Sequence, residues 1–144
     1  MQLDMIDELK KLHTNAVDAR KGYEEALADA EGRGMTPLFK RMIALHSSNA
    51  SELGSQLQAS GEMPDQDGSF LAHVHRTILS IRGLFGGLDE SVLPGLLDGE
   101  ERNASCYDDA MKMADAPADL RTLLTRQRGR IETEIAAMKD VKAP

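Results

Sequence analysis

The chain has 144 residues, enough for one domain with a real core and no need of staples. Hydrophobic residues make up 41% and charged residues 28%, which excludes a disordered chain, while aromatics at 3% and no tryptophan favour helices packed through aliphatic side chains over a β-sandwich. The formal charge of −7 argues against a nucleic-acid binder, and the single cysteine, Cys106, excludes an internal disulfide and fits a reducing compartment.

The N-terminal stretch MQLDMIDELKKL alternates charged and apolar residues at helix period and lacks a signal-peptide core. No run is long enough to span a membrane, so the expected location is cytoplasmic. From residue 3 to 30, Ile6, Leu9, His13, Ala16, Arg20, Tyr23, Leu27 and Ala30 step by three and four, which predicts a long amphipathic helix. Glu31-Gly-Arg-Gly34 interrupts it, and Thr36-Pro37 restarts it with threonine as the expected N-cap. The second helix, 36–60, turns Leu38, Phe39, Met42, Leu45, His46, Asn49, Leu53 and Leu57 inward.

Residues 61–69, GEMPDQDGS, read as a loop, and 70–85 as a shorter helix ended by Gly86-Gly87. Leu79 and Leu84 widen the apolar side of that short helix, which predicts contact with a second subunit. A long helix follows over 89–114, with Leu93, Leu96, Glu100, Ala104, Tyr107, Met111 and Ala114 on one face. Asp115-Ala-Pro117 breaks it. The last helix, 118–141, carries Leu120, Leu123, Leu124, Gln127, Ile131, Ile135, Met138 and Val141.

Four long helices and one short one thus form a single all-α domain. Short loops at 31–36 and 115–117 make two antiparallel hairpins. A connecting helix of sixteen residues covers about 24 Å, against about 38 Å for a long helix, so with its flanks it can run back along the bundle. That predicts a ferritin-like four-helix bundle, with the short helix in a crossover between the second and third long helices.

Each long helix carries polar residues near mid-length on its predicted inner face: Arg20, His46 and Asn49, Glu100, and Gln127. Two readings compete for this layer. In the first, Arg20 pairs with Glu100 while Asn49 and Gln127 complete a hydrogen-bonded layer that fixes helix register. In the second, a carboxylate-bridged pair of metal ions is held by Glu24, His46, Glu52, Glu100 and Glu134. The di-metal motif needs Glu-x-x-His, because positions three apart share a face. Three residues before His13, His46, His73 and His75 stand Lys10, Ile43, Phe70 and Ala72, so that motif is absent. A third reading makes His46 the phosphoryl acceptor of a phosphotransfer module, set among Ala44, Ser47, Ser48 and Ala50 but with no lysine nearby.

Several residues carry a family likeness: Asp18-x-x-x-Gly22-Tyr23-x-x-Ala26, Leu38-Phe39-x-Arg41, Glu52-Leu53, His75-Arg76, Gly99-Glu100 with Tyr107, and Gln127-x-x-x-Ile131. In order and spacing the chain resembles, over nearly its whole length, the small bacterial ferritin-like four-helix-bundle proteins classed as a domain of unknown function. The resemblance implies the crossover bundle and kinship with iron-binding bundles. The sequence departs from that pattern at Arg20, where relatives place Glu, and at Ile135, where a histidine is usual.

The leading expectation is therefore a non-enzymatic bundle with no cofactor, acting as a homo-oligomer or through a protein partner, with no nucleic acid and no membrane. The alternative is an iron- or manganese-binding carboxylate bundle related to ferritin-like oxidoreductases.

Overall fold

A computed structural model describes residues 3–30, 35–61, 93–113 and 116–142, and among them there are four helices and no strand. They are α1 (Leu3–Ala30), α2 (Thr36–Ala59), α3 (Leu93–Met111) and α4 (Ala118–Lys142). The expected short helix at 70–85 and the expected start of the third long helix at 89 lie outside the described residues.

Local chemistry accounts for the boundaries. Pro37 occupies the first turn of α2, where a missing N–H costs no helical bond. The N-cap is Met35 rather than the expected Thr36. Met35 makes no side-chain capping bond and is instead buried in the core, its carbonyl accepting from Phe39 N at 3.0 Å. Apolar packing at that end takes the place of a polar cap. At its other end, α2 closes through Ser60 N, which donates to the carbonyls of Gln56 and Leu57, and Gly61 takes a left-handed φ of 83°.

The helices pack as two hairpins. α1 lies mainly on α2 and α3 on α4, with α1 also against α3 and α2 against α4. Pairings across the seams give the directions. Arg41 meets Glu134 while Glu52 meets Arg126, so α2 and α4 run in opposite directions. Glu101 meets Lys139 while Asp108 meets Arg128, so α3 and α4 do too.

One continuous core runs through all four helices. On α2 the buried set is Leu38, Phe39, Met42, His46, Asn49, Leu53 and Leu57, which is the expected stripe with Leu45 at its half-buried margin. On α3 the stripe is rotated slightly from expectation. Leu97 and Ala110 are buried, while Leu96 and Met111 sit half-buried beside them. On α1 the interior line passes through Ala16 and Tyr23 with Ala19 packed at its edge, and Arg20 falls on the flank. No described helix is long and apolar enough to cross a membrane.

Candidate functional site

Among the described residues the apolar stripes are interrupted by five buried polar residues: His13, His46, Asn49, Glu100 and Gln127. Glu100 projects from α3 at the position its stripe would give an apolar side chain, and it retains only 4% of its surface. A carboxylate so placed must be hydrogen-bonded or neutralised. The Tyr23 hydroxyl of α1 donates to Glu100 Oε2 at 2.8 Å, and His46 Nε2 of α2 lies 2.9 Å from the same oxygen. With the carboxylate ionised, the imidazole donates from Nε2 and both bonds fall on one oxygen. The Tyr23 and His46 rings are stacked, with centroids 5.9 Å apart and planes 14° from parallel, and the Phe39 ring tilts at 54° against Tyr23 with centroids 5.6 Å apart. Burial, followed by the charge of Glu100, pushes the Tyr23 phenol well above its ordinary value. The hydroxyl therefore stays a donor.

A second cluster lies on the α4 side. Tyr107 of α3 donates to Gln127 Oε1 at 2.7 Å. The amide nitrogen of Gln127 donates in turn to Glu52 Oε1 at 3.1 Å and to the Asn49 carbonyl at 3.4 Å. Arg130 reaches Asn49 Oδ1 at 3.2 Å and Glu52 Oε1 at 3.1 Å, and Arg126 holds Glu52 Oε2 at 2.6 Å. Burial pushes the Glu52 carboxyl up, but the Gln127 amide and the two guanidinium groups outweigh it and hold the group below its usual value. Burial, with Glu100 and Glu52 nearby, raises the Tyr107 phenol.

The expected layer is thus partly assembled. His46, Asn49, Glu100 and Gln127 are all buried, but Arg20 does not belong with them. The expected Arg20–Glu100 pair is replaced by Tyr23–Glu100–His46. Arg20 keeps 36% of its side-chain surface and its Nε lies 3.3 Å from Glu24 Oε1, one helical turn along the outside of α1. Steps of 16–20–23 and 16–19–23 both satisfy helix period, and packing selects the small Ala19 for the interface. The spacing places Tyr23 and Tyr107 on the inner stripes without naming their hydrogen-bond partners. The chemical signal available was that a buried tyrosine hydroxyl requires a partner, and both tyrosines of the chain serve that purpose here.

The carboxylates proposed as metal ligands are engaged elsewhere. Glu24 is on the surface with Arg20, Glu52 is held by Arg126, Arg130 and Gln127, and Glu134 accepts from Arg41 Nε at 3.2 Å. Among the described residues no group of three or more His, Cys, Asp or Glu side chains could hold a metal ion. Two buried donor atoms of the Glu100 cluster, Glu100 Oε1 and His46 Nδ1, have no hydrogen-bond partner. Among the described residues these two atoms are fewer than the roughly four to six donors that iron or manganese takes. His46 is 0% exposed and bonded through Nε2, which leaves a receiver domain no approach to it as a phosphoryl acceptor.

The fold and this site define a helical bundle with a buried, cross-helix carboxylate–imidazole–phenol cluster. Residues 4–113, from α1 through the end of α3, match the family described as a domain of unknown function, DUF2383, and the chain belongs to that family. No curated protein matches the chain.

Proposed function

We propose that this chain is a non-enzymatic, ferritin-like bundle that acts by self-association or by docking a protein partner. The observation that carries this reading is that two clusters of core polar residues, around Glu100 and around Gln127, are built from side chains bonded to one another. Glu100 meets Tyr23 and His46, and Gln127 meets Tyr107, Asn49 and Glu52. Groups arranged this way fix helix register and partner choice rather than hold a substrate.

The ferritin-like connection has support in the helix directions. α2 and α3 each oppose α4, so they point the same way, as a long crossover between them requires. The lone, half-buried free thiol of Cys106 supports a reducing cytoplasm as its compartment.

The rival reading, iron or manganese in the core, has the two unpartnered atoms Glu100 Oε1 and His46 Nδ1 on its side. Protein purified from cells grown with added iron and manganese separates the two by elemental analysis and light scattering. A defined oligomer or stable complex without stoichiometric metal is expected. A monomer carrying one or more metal ions per chain, lost in Glu100→Ala, would overturn the proposal.

A further inference from the structure

Outside the buried clusters, a half-open groove of about 590 Å³ lies between α1 and α2. Its two walls differ in chemistry. α1 contributes His13, Val17, Arg20 and Lys21, and α2 contributes short side chains, among them Ser47, Ser51 and Gly54. Small residues on one helix open the space over which the long basic side chains of the other extend. No acidic residue is among the described residues that line it, although acidic residues outnumber Lys and Arg in the chain by 24 to 17.

His13 marks the groove as more than a gap between helices. It is only 8% exposed, it lines the groove, and its Nδ1 is buried with no hydrogen-bond partner. Arg20, on the same wall, is half-buried, with its Nε paired to Glu24 Oε1 at 3.3 Å and the rest of its guanidinium fork beside the groove. A buried imidazole nitrogen in this state calls for a hydrogen-bond partner, and none of the described residues supplies one. His13 and Arg20 stand seven positions apart on α1, a rise of about 10 Å, which suits an elongated molecule with more than one anionic group.

We propose that the α1–α2 groove binds a small organic polyanion, with His13, Arg20 and Lys21 meeting its phosphate or carboxylate oxygens and the hydroxyls of Ser47 and Ser51 lining the opposite side. Arginine supplies a planar fork suited to either kind of oxyanion, and serine hydroxyls add neutral donors without bulk. The site is separate from the Glu100 cluster and does not depend on what that cluster does.

The test is a titration of the intact protein with pyrophosphate and, in a parallel arm, citrate, followed by backbone and histidine NMR shifts at physiological salt. Saturable shifts at His13, Arg20 and Ser51 are expected, and the arm that gives them identifies phosphoryl or carboxylate chemistry. Arg20→Gln and Lys21→Gln, both at half-buried positions that leave the core intact, should each weaken binding at least about tenfold. Arg102→Gln, on the exposed face of α3, should leave it unchanged. Absence of saturation in both arms at millimolar ligand, or equal affinity in all three variants, overturns the assignment.

Discussion

Tyr23 and His46 stack ring on ring across the α1–α2 seam and end on the same carboxylate oxygen, Glu100 Oε2, at 2.8 and 2.9 Å. Three helices therefore meet at one atom. That geometry makes the cluster a lock on helix register, because sliding any of the three breaks a buried hydrogen bond.

Removing the acceptor should be costly. Glu100→Ala strands the Tyr23 hydroxyl and the His46 Nε2, and a loss of about 3 kcal/mol is expected in urea unfolding. The triple replacement Tyr23→Phe, His46→Leu, Glu100→Leu removes all partners together and should recover much of that loss. A triple variant no more stable than Glu100→Ala would show that the network itself, rather than its broken halves, stabilises the fold.

Stability should fall on both sides of a neutral plateau. Burial lowers the His13 value, so the unfolded chain takes up a proton near 6.5 while the folded chain resists it, and stability declines as pH drops below that point. The Glu52 carboxyl is lowered in the fold, so its contribution is complete above the ordinary 4.5 and is lost as pH falls through its folded value. Tyr23 and Tyr107 are raised, so their contribution is complete below 10.0 and is lost as the unfolded chain ionises above it. Thermal melts across pH measure this. An alkaline decline that is unaltered by Tyr23→Phe and Tyr107→Phe would count against the assignment.

Arg121 ties the α3–α4 turn together. Its Nη1 donates to the Met111 carbonyl at 3.1 Å, Nη2 to Met113 at 2.6 Å and Nε to Ala116 at 3.3 Å. The guanidinium thus satisfies carbonyls at and beyond the C-terminus of α3 and faces the negative end of its dipole. Arg121→Ala should cost about 2 kcal/mol, and Arg121→Lys should restore only part because an ammonium cannot span three carbonyls. Equal melting temperatures for Lys and Arg at this site would contradict that account.

Two glycines offer gains. A Cβ built at Gly99 on α3 or Gly129 on α4 meets nothing within 4 Å. Gly99→Ala and Gly129→Ala should each stabilise by about 0.5–1 kcal/mol, through helix propensity and a more restricted unfolded chain. The shift in chemical-denaturation midpoint measures it, and a decrease for either would point to a role for the bare backbone there.

Periodicity alone identified the buried face of each helix, most completely on α2, where seven inward positions from Leu38 to Leu57 are buried. It also singled out Glu100, His46, Asn49 and Gln127 as polar residues in apolar stripes, all of them buried here. Those are properties of one helix at a time, since burial of a face follows from spacing of 3.6 residues per turn. Where two spacings were equally good, the sequence offered no choice. Ala19 or Arg20, Leu96 or Leu97, and Ala110 or Met111 differ by a single step, and the shape of the facing helix decides among them.

Partnerships were decided only by the tertiary structure. Arg20 turned outward to Glu24, and Tyr23 took the place beside Glu100 that Arg20 had been expected to hold. Glu52 and Gln127 met through the stagger of α2 against α4, and Arg121 found the end of α3 by folding back across a turn. The physical reason is range. Amphipathic spacing is written into neighbouring residues, whereas a hydrogen bond needs two atoms within about 3 Å. Residues 23 and 100 reach that distance only when the packing of all four helices has set the rotation and height of each.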